Sequence, residues 1–244
     1  MRASFHLIAY RALDVCNALE MATIEAAAAR ADLPVGAAAL DIGCGNGAVA
    51  ALLARRFDLK VTAVERDPAM AALARERTAG SGATVVEAGS ETVLADLAPQ
   101  DLIVVIGATE AAAAGLRDPQ AVFERLRGHL APGGRLLWGD LFWSAEPPAP
   151  LRMLVEAANT YLTHEGWQAA ARAAGFEVVS ADVSSPETWD RYTTTMDAAA
   201  HAWLADHPDA PEAPAVRASA ERVKTMFDFG RPCIGFGLYL LKTE

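Results

Sequence analysis

The chain is 244 residues long, 52% of them hydrophobic, with a formal net charge of −10. That length suits one domain, or one domain with an insertion, and the apolar fraction is ample for a core. The acid surplus, without any Lys/Arg run, excludes a generic nucleic-acid footprint, and no apolar stretch is long enough to span a bilayer. Met1-Arg2-Ala3-Ser4-Phe5-His6 lacks a signal peptide's apolar core, so a cytoplasmic protein is expected. Cys16, Cys44 and Cys233 show no metal-ligand spacing and imply no disulfide framework. No metal ligands are expected among the histidines either.

Residues from about Phe5 to Arg30 read as helix, with Leu13, Cys16, Leu19 and Ile24 at roughly helical spacing. Pro34-Val35-Gly36 closes the segment. Ala38 to Ile42 is a short apolar strand interrupted by one acid, Asp41. Gly43, Gly45 and Gly47 follow at alternate positions, and then an Ala/Leu-rich helix begins. Glycine accepts positive φ and lets a ligand approach the main chain. A loop at a strand's carboxyl end, opening a helix, is where an open α/β sheet binds its ligand.

Leu59 to Val64 is the second strand, and it ends in Glu65, with Arg66 beside it. An acid there, about 20 residues past the glycines, accepts from ribose hydroxyls. Asp67-Pro68 starts a helix that runs to about Thr78. Ala83 to Ala88 is the third strand, followed by Gly89-Ser90-Glu91. Leu102 to Ile106 is the fourth, its continuous apolar run suiting burial on both faces. Gly107-Ala108-Thr109-Glu110 follows it. Ala121 to Leu130 is a helix, Ala131-Pro132-Gly133-Gly134 a turn, and Arg135 to Trp138 the fifth strand, which ends in Gly139-Asp140-Leu141-Phe142-Trp143. Leu151 to about Tyr161 and Glu165 to Ala174 are helical, and Phe176 to Val183 is the sixth strand. A helical stretch from Ser185-Pro186 to about Pro208 and a helix from Ala215 to Phe229 precede the last strand, Cys233 to Leu241.

Gly43-x-Gly45-x-x-Ala48 also fits the loose dinucleotide fingerprint. Asp41 argues against it. An anion sits poorly beside a pyrophosphate and suits a ligand with a cationic amine or sulfonium. The string Asp41-x-Gly43-x-Gly45-x-Gly47 resembles motif I of the class I S-adenosylmethionine-dependent methyltransferases. The resemblance covers roughly the first 145 residues well, including Ala131 to Leu137 as an L-x-P-G-G-x-L-L string with Leu130. It implies an α/β fold: a Rossmann-like seven-stranded, mostly parallel sheet with an antiparallel last strand. It also implies a helical N-terminal cap over residues 1–36, a core over 37–145 continued through 146–185, a helical lid inserted over 186–230, and the last strand over 231–244.

The implied cofactor is S-adenosyl-L-methionine. The resemblance puts it on Asp41, Gly43, Cys44, Gly45, Asn46 and Gly47, with Glu65 and Arg66 at the ribose. The family commonly has an Asp after the glycine that follows the third strand. Ser90 stands there instead, so Ser90 and Glu91 are the adenine candidates. Ile106, Gly107 and Ala108 fall against the methionine and sulfonium. A narrower subgroup of small-molecule methyltransferases carries a G-E-P-[YF]-W-like segment where this chain has Gly139 to Trp143. That likeness makes Asp140, Phe142 and Trp143 a substrate wall, and Trp189-Asp190-x-Tyr192 adds Tyr192.

In-line transfer from a sulfonium needs chiefly alignment and exclusion of water, and a base only if the acceptor loses a proton. Asp140 and Glu110 are the carboxylate candidates, with His164 and Tyr10 behind them. Carboxylates and aromatic rings suit an acceptor that becomes cationic, so the expected reaction is N-methylation of a small heterocycle or amine. O- or S-methylation, an NAD(P)-dependent oxidoreductase, a non-catalytic donor-binding regulator and an aminopropyl transferase are the rival readings.

Overall fold

The computed structural model describes residues 3–157 and 159–243. In chain order the elements are α1 (Phe5–Ala12), α2 (Met21–Arg30), β1 (Ala38–Ile42), α3 (Ala48–Phe57), β2 (Lys60–Glu65), α4 (Pro68–Thr78), β3 (Thr84–Glu87), α5 (Ser90–Asp96) and β4 (Gln100–Ile106). They continue with α6 (Thr109–Ala113), α7 (Pro119–Arg127), β5 (Leu130–Trp143), α8 (Ala149–Val155), α9 (His164–Ala173), β6 (Phe176–Val183), α10 (Pro186–Asp206), α11 (Ala213–Gly230) and β7 (Ile234–Thr243).

The strands form one seven-stranded sheet in the order β3-β2-β1-β4-β5-β7-β6. Pairings from β3 across to β5 are parallel. β7 runs antiparallel between β5 and β6. The order turns back at β1, so the carboxyl ends of β1 and β4 open a crevice where such sheets take their ligand. One face of the sheet is covered by α1, α2, α3, α10 and α11. The other is covered by α5, α6, α7 and α9. β4 is buried on both faces, as its apolar run requires. Phe123 and Trp138 anchor the second face edge-on, with centroids 5.0 Å apart, and Trp167 adds a third ring at 5.4 Å from Trp138.

Several helices start on the same local chemistry. Asp67 accepts from Ala69 and Met70 N–H before Pro68 opens α4. Asp118 caps α7 ahead of Pro119, and Ser185 caps α10 ahead of Pro186. A side-chain oxygen satisfies an orphan first-turn N–H, and proline gives up none that the helix needs.

The expected helix over Phe5 to Arg30 is instead two, broken between Ala12 and Met21. The intervening ribbon is held by side chains from distant elements. Asn46 donates to the carbonyls of Tyr10 and Leu13, both at 3.0 Å. Arg77 donates to those of Leu13 and Arg11. Tyr192 donates to Cys16 O, and Ser184 to Ala18 O. With their carbonyls satisfied outside, these residues have no need of a helical ladder. α8 also stops at Val155, short of Tyr161. Glu156 Oε1 there accepts from Trp143 Nε1 at 2.9 Å and from Tyr161 N at 3.4 Å, which pulls the chain away from the helix axis. The Ala131–Gly134 turn lies inside β5 as a bulge, opposite Asp101 between the pairs Gln100–Leu130 and Leu102–Arg135. The short helices α5 and α6 are additional to those expected.

Gly47 shows how tightly the sheet and its helices are fitted. Its φ is +78°, and a Cβ there would lie 2.9 Å from Ala74 Cα of α4. Gly47→Ala is expected to cost about 1–3 kcal/mol, read as a lower urea midpoint at unchanged slope.

Candidate active site

Parallel pairing on both sides fixes the end of β1 between β2 and β4. Beyond it the loop turns on three left-handed glycines, with φ +68° at Gly43, +56° at Gly45 and +78° at Gly47. Gly43 and Cys44 donate backbone N–H to Val64 O at 2.9 and 3.0 Å. Gly45 N donates to Glu65 Oε2 at 3.2 Å, and Asp67 N to Glu65 Oε1 at 2.9 Å. The acid closing β2 is thus locked to the glycine loop through the main chain.

A cleft of about 500 Å³ opens above these strand ends. Gly43 and Gly45 form part of its floor, and Ile106, Gly107 and Ala108 continue it from β4. Glu65, Arg66, Ser90, Glu91 and Glu110 line the far side, and Tyr10 stands on the near wall. The structure therefore brings most of the expected cofactor residues to one place. The near wall also includes His6, Cys16 and Asn17, which sequence reasoning did not assign to the site. Their sole signal was membership in an apparently continuous helix.

Other expected residues stand back from the cleft. Asn46 is 2% exposed and pins the 13–20 ribbon, as described above. Cys44 is buried, and burial drives its thiol far above the usual range. Gly47 packs on α4. Ser90, by contrast, lines the cleft while donating to Ala111 O, which joins α5 to α6. Asp140 is a correction: it is 3% exposed beneath α6, accepts from Thr109 Oγ1 and from Leu141 N at 2.7 Å, and does not line the cleft. Its strand parity explains this, because Trp138 and Phe142 flank it on the same face of β5. His164 sits on that face too, its Nδ1 3.0 Å from Tyr239 Oη. Phe142 and Trp143 are core residues, 6% and 5% exposed. Tyr192 is buried, meets the ribbon at Cys16 O and pairs with the Tyr10 hydroxyl, so it stands behind the near wall of the cleft and does not line it.

Asp41 dominates the electrostatics. It is 3% exposed, and its Oδ2 is a buried oxygen with no hydrogen-bond partner among the described residues. Loss of solvation, and secondarily the Glu65 charge, push its carboxyl up to about 7. Burial pushes Tyr10 and Cys16 up to about 12, so both keep their protons at neutral pH. Burial first, then the Arg222 guanidinium, pushes the His6 imidazole below its usual value, against an opposing pull from Asp67. Arg66 is paired with Glu110 at 3.4 Å. The cleft thus combines bare main chain with an acid surplus, and behind its Gly43 floor lies Asp41, which does not itself line it and has no counter-charge among the described residues. It fits a ligand that brings positive charge to β1 and hydroxyls to Glu65.

Residues 40–136 match the Methyltransf_12 family model, a methyltransferase domain. That match spans β1 through the first half of β5, and the seven-stranded sheet with an antiparallel β7 surrounds it. It is 28% identical over 210 residues, 83% of either chain, to the uncharacterized protein YjhP of Escherichia coli (strain K12). It is 37% identical over 109 residues to trans-aconitate 2-methyltransferase of Variovorax paradoxus (strain S110), covering 44% of this chain and 40% of that one. A SAM-dependent methyltransferase from Geobacter sulfurreducens, solved in complex with S-adenosyl-L-homocysteine, has the same fold, with a TM-score of 0.84, 23% identity and 98% of each chain covered.

Asp41 and Asp140 both have raised folded-state values, about 7 and about 6 against 3.8. The native state therefore holds protons that the unfolded chain has released. The stability this contributes is complete below about pH 4 and is lost as pH rises through the folded values. Asp41→Asn is expected to stabilise the unliganded protein and to flatten that decline, measured by urea unfolding at about pH 5 and about pH 8.

Proposed function

We propose that the cleft binds S-adenosylmethionine and that the chain methylates a small-molecule acceptor, most favourably at an amine or heterocyclic nitrogen. The unpartnered Asp41 carboxylate under the glycine loop carries this reading. It supplies negative charge where a dinucleotide would bring its pyrophosphate, and where this donor brings a cationic amine and sulfonium. When bound, the donor supplies an activated methyl: the S–C bond breaks with its electron pair left on sulfur, as the acceptor's lone pair forms the new bond.

The residues of the chain then have separable tasks. Asp41 and Glu65 hold the donor's charge and ribose. Ile106, Gly107 and Ala108 present main chain to its methionine part. Glu91 and Ser90 are the adenine acceptors, since the Ser90 hydroxyl that donates to Ala111 O keeps its lone pairs. Tyr10, Cys16 and Asn17 exclude water from one side. Glu110, on the cleft wall, is the carboxylate placed to take a proton from the methylated acceptor. Asp140 reaches the site only through Thr109, the residue before Glu110, and so acts as a positioning residue.

Acceptor charge follows from the same surfaces. Glu65, Asp67, Glu91 and Glu110 line the cleft, and Arg66, the one guanidinium on it among the described residues, is paired. That surplus favours a neutral or cationic acceptor over an anion. The Variovorax relative favours a second reading, O-methylation of a carboxylate, since its name specifies trans-aconitate. Such an acceptor would meet uncompensated repulsion here.

Calorimetry with S-adenosylmethionine and with NAD tests the donor, and S-adenosylhomocysteine release from a panel of amines and carboxylates tests the acceptor. The methyl donor is expected to bind and NAD not. Its affinity should rise as pH climbs through about 7, where free Asp41 ionises. Asp41→Asn should remove that rise, and Glu65→Gln should weaken binding by about ten- to a hundredfold. NAD binding, or turnover of carboxylates alone, would overturn the respective half of the proposal.

A further inference from the structure

Among the described residues the donor cleft has one ion pair on its wall, Arg66 with Glu110. Arg66 follows the end of β2, and Glu110 lies in α6, just beyond β4. β1 stands between those two strands in the sheet, so the pair reaches across the end of β1, where Gly43 forms the floor. The reading above sets the ribose at Glu65, next to Arg66, and the methionine part on residues 106–108, just before Glu110. The sulfur joins those two parts of the donor. On that reading the reacting methyl falls between the two partners of the ion pair.

The pair is loosely held. Its single contact, Arg66 Nη2 to Glu110 Oε1, is 3.4 Å long. The other arginine–carboxylate pairs among the described residues close to between 2.6 and 3.3 Å. Neither side chain has a second hydrogen-bond partner among the described residues, and they are 68% and 60% exposed. A pair of that length and exposure adds little stability and parts easily. The neighbouring acids are committed: Glu65 gives its oxygens to Gly45 N and Asp67 N, and Asp67 caps α4. Arg66 and Glu110 are therefore the charges near the methyl that a ligand can take over. An amine without a carboxylate takes Glu110 and strands a guanidinium beside a second cation. A carboxylate without an amine takes Arg66 and strands Glu110 beside a second anion. A molecule bearing both groups replaces the pair charge for charge.

We infer that the acceptor is an amino acid, its carboxylate held by Arg66 and its nitrogen by Glu110 once the ion pair between them has parted. The inference rests on the methyltransferase reading above, and such an acceptor suits the acid surplus because it carries no net charge. A guanidinium fork matches a carboxylate through two N–H donors. The nitrogen enters as an ammonium, which has no lone pair, so the proton that Glu110 takes leaves ahead of the transfer and passes on to solvent. The sulfonium charge beside the ammonium favours that loss. The freed lone pair forms the N–C bond as the S–C bond breaks with its electrons left on sulfur. The N-methyl product is again a zwitterion, and its departure lets Arg66 and Glu110 close on each other.

The test is an amide-resolved NMR titration of the S-adenosylhomocysteine complex with two matched pairs of probes, in wild type, Arg66→Gln and Arg66→Lys. The pairs are glycine with methylamine and phenylalanine with phenethylamine, each amino acid beside its decarboxylated amine. In wild type at least one amino acid should bind about tenfold or more tighter than its amine, with saturable shifts at Arg66 and Glu110. Arg66→Gln should erase that ratio and Arg66→Lys should keep part of it. A ratio taken within one variant cancels any change in folding or donor affinity. The preferred amino acid should also release S-adenosylhomocysteine from S-adenosylmethionine. Equal binding of amino acid and amine in wild type, no saturable binding, or binding without methyl transfer would overturn the assignment. So would a ratio unchanged in Arg66→Gln, and a simultaneous loss of S-adenosylhomocysteine affinity would then give the guanidinium to the donor. Failure of wild type to bind S-adenosylhomocysteine would instead overturn the methyltransferase reading and take this inference with it.

Discussion

A carboxylate in the interior without a counter-charge is the constraint on which this molecule depends. Asp41 is buried at the tip of a central strand, one oxygen without a partner, next to a second acid. Removing a charge from water is costly unless something compensates it. Among the described residues nothing supplies that compensation, and the unliganded carboxyl answers by holding its proton up to about pH 7. The glycine loop turns its main chain away from the Asp41 side chain, and its amides go to Val64 and Glu65 instead. A folded chain that keeps such a residue is incomplete without a cationic ligand, and the adjoining cleft is the place to admit one.

The rest of the architecture keeps that place in register. β1 cannot shift, because both its edges are paired in parallel. Gly47 lets α3 begin close against α4, and Glu65 ties β2 to the loop through Gly45 N–H while its other oxygen holds Asp67 N–H at the start of α4. On the β5 side, Asp140 and Thr109 clamp the start of α6, and Glu110 follows directly. The contacts near the cleft are mostly between side chain and main chain, so a single side-chain change alters where a loop runs as well as what it touches.

What could be read from the sequence divides along the same line. The strand ending in Asp41, the glycine loop, Glu65 at the end of β2 and the Asp67-Pro68 helix start were legible, because neighbouring residues determine each of them. The helical reading of Phe5 to Arg30 failed because the break is imposed by Asn46, Arg77, Ser184 and Tyr192, which are remote in sequence. Asn46 was placed at the site for its position in the motif, yet its amide serves the ribbon. Asp140 carried a signal that was passed over: alternation along β5 sets it with Trp138 and Phe142, hence under α6. The cleft wall made by His6, Cys16 and Asn17 had no local signature at all.

The ribbon between α1 and α2 is anchored by its carbonyl oxygens, and every residue type has one. Its path is accordingly indifferent to which side chains it bears, apart from the few that reach inward. Positions such as Asp14 can be exchanged during evolution, or by an engineer, without rewriting the scaffold around them.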